Sequence, residues 1–128
     1  MEREALLALA REAALRAHCP YSHFRVGAAL VADGKVYLGV NIESSSYGLT
    51  LCAERSALAS AISCGAGPIT QMAIACIDVA PHAPLNQRTP CGACCQWLVD
   101  LAPQALIYVD GFEQEFTPTE FLPFAFKL

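Results

Sequence analysis

Charge is scarce in this chain. Only 16% of its 128 residues are Asp, Glu, Lys or Arg, the eight Lys and Arg are scattered singly, and the formal net charge is −4. With no basic stripe to neutralise a run of phosphates, a nucleic-acid polymer is not expected as a partner. Long apolar runs are missing as well. The longest, near Val26–Ala32, falls far short of the roughly 20 residues that cross a bilayer, so no membrane partner is expected. The opening Met1-Glu-Arg-Glu has no basic start, continuous apolar stretch or small-residue cleavage site of a secretory signal, and the expected location is the cytoplasm. Internal repeats, low-complexity segments and linkers are absent, and the length suits a single domain over residues 1–128.

Apolar side chains and cysteine, by contrast, are plentiful. At 55% hydrophobic, a chain this small has surplus apolar surface to hide, which oligomerisation would do most simply. The cysteines number seven. An odd count without an export signal argues against a disulfide framework and towards a metal for those that are paired in sequence.

Along the chain, residues 2–18 have the spacing of a helix, with Leu6, Ala10, Ala13, Ala14 and Ala17 on one side, a Glu12–Arg16 pair on the other, and Pro20 as the stop. Val26–Ala32 and Lys35–Asn41 flank Asp33-Gly34, a strong two-residue hairpin signal. Thr50 is a good N-cap for a helix reaching Gly65, and Gln71–Ile77 suits a buried central strand. After a polar, proline-containing loop, Thr89 and Pro90 are placed to start a second such helix, which runs to about Leu101. Ala105–Asp110 and Gln114–Phe116 follow as strands, and Thr117-Pro-Thr-Glu opens a last short helix. The order α-β-β-α-β-α-β-β-α gives an α/β fold, a three-layer α/β/α sandwich around a mixed sheet of about five strands.

The chemistry concentrates in Thr50-Leu-Cys-Ala-Glu-Arg55 and Thr89-Pro-Cys-Gly-Ala-Cys94. Cys52, Cys91 and Cys94 offer three thiolates to one Zn2+, leaving a fourth position for water, while Glu54 is a carboxylate suited to carrying a proton beside it. Both motifs fall at expected helix starts. The partial positive charge of a helix N-terminus, worth about 0.3–1 kcal/mol when exposed, together with Arg55 would offset an all-thiolate shell. Two features leave an alternative open. Cys95 lies four residues from Cys91 and as a fourth ligand would close the site into a structural one. Cys52 and Glu54, two apart, do not face each other on a regular helix, so convergence needs Cys52 in a distorted first turn. Asn41 and Glu43, also two apart but at a strand end, share a face and offer a donor and acceptors.

Cys52-Ala-Glu54-Arg, Pro90-Cys-Gly-Ala-Cys94, Phe24-Arg-Val-Gly-Ala-Ala and Asn41-Ile-Glu43 together resemble the small homotetrameric zinc-dependent cytidine deaminases, over about residues 21–126. The resemblance implies Cys52, Cys91 and Cys94 as zinc ligands and Glu54 as proton shuttle between zinc-bound water, ring nitrogen 3 and the leaving amine. It further implies Phe24 packing on the pyrimidine, Asn41 and Glu43 holding the ribose, and the Ala53 amide contacting the base carbonyl. Tyr47 and Phe126 would reach into a neighbouring subunit's pocket, giving a homotetramer with shared sites. The implied reaction is hydrolytic deamination of cytidine and 2′-deoxycytidine in pyrimidine salvage. The chain departs from many relatives at Cys95, where they carry Arg, and at Ser44, where they carry Asn; the Val79–Gln87 loop is also long. Deamination of a modified nucleoside such as blasticidin S, editing of a polynucleotide, and a zinc that only holds the fold are the competing readings. Cys19, Cys64 and Cys76 read as buried small hydrophobes, His18 as a helix-end residue that favours the dipole, and His23 and His82 as solvated surface residues.

Overall fold

The computed structural model describes residues 1–128. The sheet forms because its inner strands are apolar on both faces and take a helix on each. Its strands are β1 (Val26–Ala32), β2 (Lys35–Val40), β3 (Ile69–Cys76), β4 (Leu106–Val109) and β5 (Glu115–Phe116), in the spatial order β2-β1-β3-β4-β5. Only β3 and β4 are parallel, so the sheet is mixed, and β3 lies at its centre as its unbroken apolar run suggests. The β1–β2 turn has positive φ at both Asp33 (51°) and Gly34 (73°), the left-handed pair that a two-residue hairpin requires.

Alternation along the strands sorts the core into two layers. Ala29, Val31, Ala73, Ala75 and Tyr108 meet α1 (Arg3–Ala14) through Leu6, Leu7 and Ala10. Leu30, Met72, Ile74, Ile107 and Val109 meet α2 (Ala53–Ser63) and α3 (Gly92–Leu101) through Ala57, Leu58, Ala61 and Leu98. Two glycines set how closely the helices approach. A Cβ on Gly27 would lie 2.0 Å from the Ala10 carbonyl oxygen in α1, and one on Gly39 would lie 2.3 Å from both the Ala53 oxygen and the Ala57 nitrogen in α2. The closing helix α4 (Pro118–Phe121) is held by a capping box, with the Thr117 N–H donating to Glu120 Oε1 at 2.9 Å.

The element order is the expected one, but several ends differ. Helix α1 stops at Ala14, well before Pro20, because the chain turns to pair with the end of β2: His18 N–H donates to the Asn41 carbonyl and Glu43 N–H to the His18 carbonyl. Arg16 therefore leaves the helix and makes no ion pair with Glu12. Arg11 makes them instead, to Glu4 at 2.8 Å and to Asp110 at 2.6 Å. Neither Thr50 nor Thr89 caps a helix. Leu51 is still extended, exchanging two 2.9 Å backbone bonds with Ile42, and the Thr50 hydroxyl accepts the Ser44 N–H at 3.1 Å. Helical structure starts at Ala53 and Gly92, placing Cys52 and Cys91 in the N-cap positions.

Candidate active site

The two N-caps resolve the awkward spacing of Cys52 and Glu54. Cys52 (φ −72°, ψ 157°) and Cys91 (φ −67°, ψ 168°) have extended backbones while their carbonyls already accept the first helical N–H groups, from Ser56 and Cys95, each at 2.9 Å. Their side chains are thus free of the helix faces and lie at two helix N-termini, where a thiolate is favoured. Cys94, on the first turn of α3, is fully buried. The Sγ atoms of Cys52 and Cys91 are 3.6 Å apart, as are those of Cys91 and Cys94, and all three lie within 4.8 Å of one another. Tetrahedral sulfur ligands at about 2.3 Å from zinc sit about 3.8 Å apart, so the donor set and its spacing fit that ion.

Cys95 does not join them. Its Sγ points to the Pro90 carbonyl at 3.4 Å, and burial pushes its pKa up to about 11. Three ligands, not four, is the arrangement that leaves a zinc open to solvent. The charges around the cluster are uneven. Against the effect of burial, the neighbouring Cys94 thiol, Arg55 and Cys91 hold Cys52 well below the ordinary thiol range, while Cys94 is pushed up by its nearness to Cys52 and by burial. Arg55 Nη2 lies 3.5 Å from both Cys52 Sγ and the Thr50 carbonyl. Glu54, only 4% exposed, is pushed up to about 7, chiefly by burial and further by the neighbouring Cys52.

Of these groups, Cys52, Glu54 and Cys91 line a cavity of about 310 Å³ that also takes in Ser22, Phe24, Asn41, Glu43 and Ala53. Asn41 is buried, accepting the Val26 N–H at 2.9 Å through Oδ1 and donating through Nδ2 to the Phe24 carbonyl at 2.7 Å. Glu43 Oε1 accepts the N–H groups of Tyr21 and Ser22, both at 3.1 Å, and Oε2 accepts the Ser22 hydroxyl. Those hydrogen bonds, the hydroxyl's first, hold the Glu43 carboxyl below the usual range. A larger hollow of about 520 Å³ around His18, His23, Arg25 and Asp78 is more open, and its two charged groups already pair with each other at 2.8 Å. The cavity beside the thiols is therefore the candidate site.

The description "cytidine and deoxycytidylate deaminase zinc-binding region" fits residues 1–110 of this chain. The chain belongs to that family. It is 43% identical over 131 residues to the cytidine deaminase of Halalkalibacterium halodurans, covering 98% of this chain and 95% of the other. To the probable cytidine deaminase of Dictyostelium discoideum it is 43% identical over 111 residues, 84% of this chain and 71% of the other. Among solved structures, the cytidine deaminase from Burkholderia pseudomallei superposes with a TM-score of 0.88 at 40% identity, covering 98% of this chain and all of that one. The α/β fold is the cytidine deaminase fold, and zinc is the metal of the family.

Of the residues singled out from the sequence, Phe24, Asn41, Glu43, Cys52, Ala53, Glu54 and Cys91 come together around the cavity, with Cys94 and Arg55 behind them. Tyr47 and Phe126 do not. Tyr47 is exposed and meets Tyr21 edge-on at 5.9 Å, and exposed Phe126 lies by Gln96, which donates to its carbonyl at 2.9 Å. Among the cysteines read as buried, Cys19 is buried and Cys76 half-buried, but Cys64 is exposed because it falls at the C-terminal cap of α2. The sequence reading passed over Gln87 and Arg88 and read Thr89 only as a helix cap, yet all three line the cavity at the end of the long loop. The available signal was a lone Arg in that loop: Arg88 donates to the carbonyls of Ala80, Pro81 and Asp110.

Proposed function

We propose that this chain hydrolyses cytidine and 2′-deoxycytidine to uridine and 2′-deoxyuridine with release of ammonia, as a single-domain enzyme of cytoplasmic pyrimidine salvage. The observation that carries the reading is the buried Glu54 beside three thiols spaced for zinc, at one wall of a cavity that has Asn41 and Glu43 among its other lining groups. Cys52, Cys91 and Cys94 hold the ion. Zinc bound there supplies a water acidic enough to act near neutral pH.

The remaining work falls to this chain's own groups. Phe24 packs on the pyrimidine, the Ala53 N–H meets the base carbonyl, and Asn41 and Glu43 bind the sugar. Glu54 moves a proton to ring nitrogen 3 and then to the exocyclic amine. Carbon 4 gains an oxygen from water as its bond to nitrogen breaks, and the nitrogen departs as ammonia. Arg55 offsets the thiolate charge.

The reading includes a homotetramer in which Tyr47 and Phe126 complete a neighbour's cavity. Exposed Tyr47, Leu49, Trp97, Leu101, Phe124 and Phe126 are the apolar surface that such an assembly would cover. The test is ammonia release from each nucleoside by the zinc-loaded protein, with its mass measured in solution. Turnover of both by a tetramer is expected. No ammonia from either would overturn the activity, and a monomer that turns over normally would overturn the shared sites.

A further inference from the structure

Just ahead of β1, the loop Tyr21–Phe24 holds together side chains from both ends of the proposed nucleoside site, and a single hydroxyl stands at the junction. Ser22 Oγ donates to Glu43 Oε2 and accepts the N–H of Phe24 at 3.0 Å. Asn41 Nδ2 holds the carbonyl of the same phenylalanine. Phe24 is therefore gripped at its N–H through Ser22 and at its C=O through Asn41. Between Ser22 and Phe24, His23 sits at φ 58°, a left-handed conformation uncommon outside glycine though found more often for His, Asn and Asp.

The remaining hydrogen-bond capacity is small. A carboxylate has about four acceptor positions, two on each oxygen. On Glu43, Oε1 is saturated by two backbone N–H groups, and Ser22 occupies one position of Oε2, leaving one acceptor. Asn41 has one N–H still free after its bond to Phe24. One donor and one acceptor facing a common cavity match one hydroxyl, which both accepts and donates.

We infer that Ser22 is a positioning residue of this enzyme: its hydroxyl fixes the rotation of the Glu43 carboxylate so that a single acceptor faces the sugar, and it ties that carboxylate to the backbone of Phe24. This rests on the nucleoside reading above. Without the hydroxyl, only the two bonds at Oε1 hold the carboxylate, which can pivot about that oxygen, and the sugar's hydroxyl loses a pre-aimed charged acceptor.

The test compares Ser22→Ala and Ser22→Thr with wild type on cytidine and on 3′-deoxycytidine, with the Tm of each protein. Ser22 is exposed, so neither change empties the core. Hydrogen bonds to charged groups are the strong ones, and the expected loss of kcat/KM for Ser22→Ala on cytidine is about ten-fold or more, chiefly in KM. On 3′-deoxycytidine the loss should stay under about three-fold, and Ser22→Thr, which keeps the hydroxyl, should recover most of the cytidine rate. Equal losses on the two substrates, or a threonine no better than alanine at unchanged Tm, would overturn the role of Ser22 while leaving the deaminase reading intact. A wild type inactive on both substrates would overturn the two together.

Discussion

Replacing Gly39 by alanine tests whether the close approach of α2 to β2 sets the geometry of the thiol cluster. The new methyl would lie 2.3 Å from the Ala53 oxygen and the Ala57 nitrogen, both backbone atoms, and 2.9 Å from the Ala57 Cα. No rotamer relieves such a contact, so α2 must draw back from the sheet by about 1 Å to restore ordinary van der Waals distance. Overpacking of this kind costs about 1–3 kcal/mol, partly offset by about 0.4–1 kcal/mol because alanine restricts the unfolded chain more than glycine. For a chain of this length the net loss corresponds to a fall in Tm of about 3–10 °C.

The same movement carries Cys52, the N-cap of α2, away from Cys91 and Cys94 on α3. Zinc sites tolerate only about 0.2 Å in ligand distance, so zinc affinity should fall by on the order of ten-fold or more. Gly27→Ala is the matched control. Its Cβ would meet the Ala10 oxygen at 2.0 Å and the Ala14 nitrogen at 2.6 Å, pushing on α1 at the opposite face of the sheet. A comparable fall in Tm is expected, with zinc affinity unchanged in competition against a chromophoric chelator. Equal zinc affinities in the two variants would refute the coupling between Gly39 and the cluster.

Cys95→Ser should retain one zinc per chain in the same competition assay, whereas Ser at Cys52, Cys91 or Cys94 should lose it; a loss at Cys95 as large as at the other three would restore it as a ligand. The Arg25 guanidinium hydrogen-bonds Asp78 and lowers its pKa from 3.8 to about 2. A depressed carboxylate stabilises the fold above its unfolded-state pKa and loses that contribution as pH falls through its folded value. The Tm gap between wild type and Asp78→Asn should therefore be steady near about pH 6 and close towards about pH 2, and a gap unchanged at the acid end would contradict the pairing. Arg88→Ala should speed amide hydrogen exchange across residues 79–89 and raise KM, since three carbonyls lose their donor; unchanged exchange there would show that the loop is held by other contacts.

Local signals carried much of this architecture. Asp33-Gly34 specified the hairpin because only left-handed residues fit its turn, and the apolar run before Ile77 specified the central strand because both of its faces are covered. The two cysteine motifs located the thiol cluster, since both stand at helix starts that the fold brings together. Features set by distant partners were not legible. The start of α2 moved downstream of Thr50 because Leu51 pairs with Ile42, on the far side of the intervening turn, and this keeps the chain extended up to Cys52. Arg11 bridges Glu4 on its own helix and Asp110, 99 residues away, and only the first partner could be anticipated from helical spacing. Glu43 reads as a strand-end carboxylate until Tyr21 and Ser22 are seen to occupy three of its acceptor positions.

The most direct measurement is loss of cytidine absorbance, with ammonia assayed in parallel, for the zinc-loaded wild type and for Glu54→Gln. Glutamine keeps the size of the buried side chain but cannot carry the proton. The expected result is one ammonia per cytidine consumed by the wild type, and a variant that keeps its zinc and its fold yet turns over about 10²–10⁴-fold more slowly. A Glu54→Gln protein that deaminates cytidine within about three-fold of wild type would contradict the role of Glu54 as proton carrier, because acid–base catalysis contributes far more than that factor.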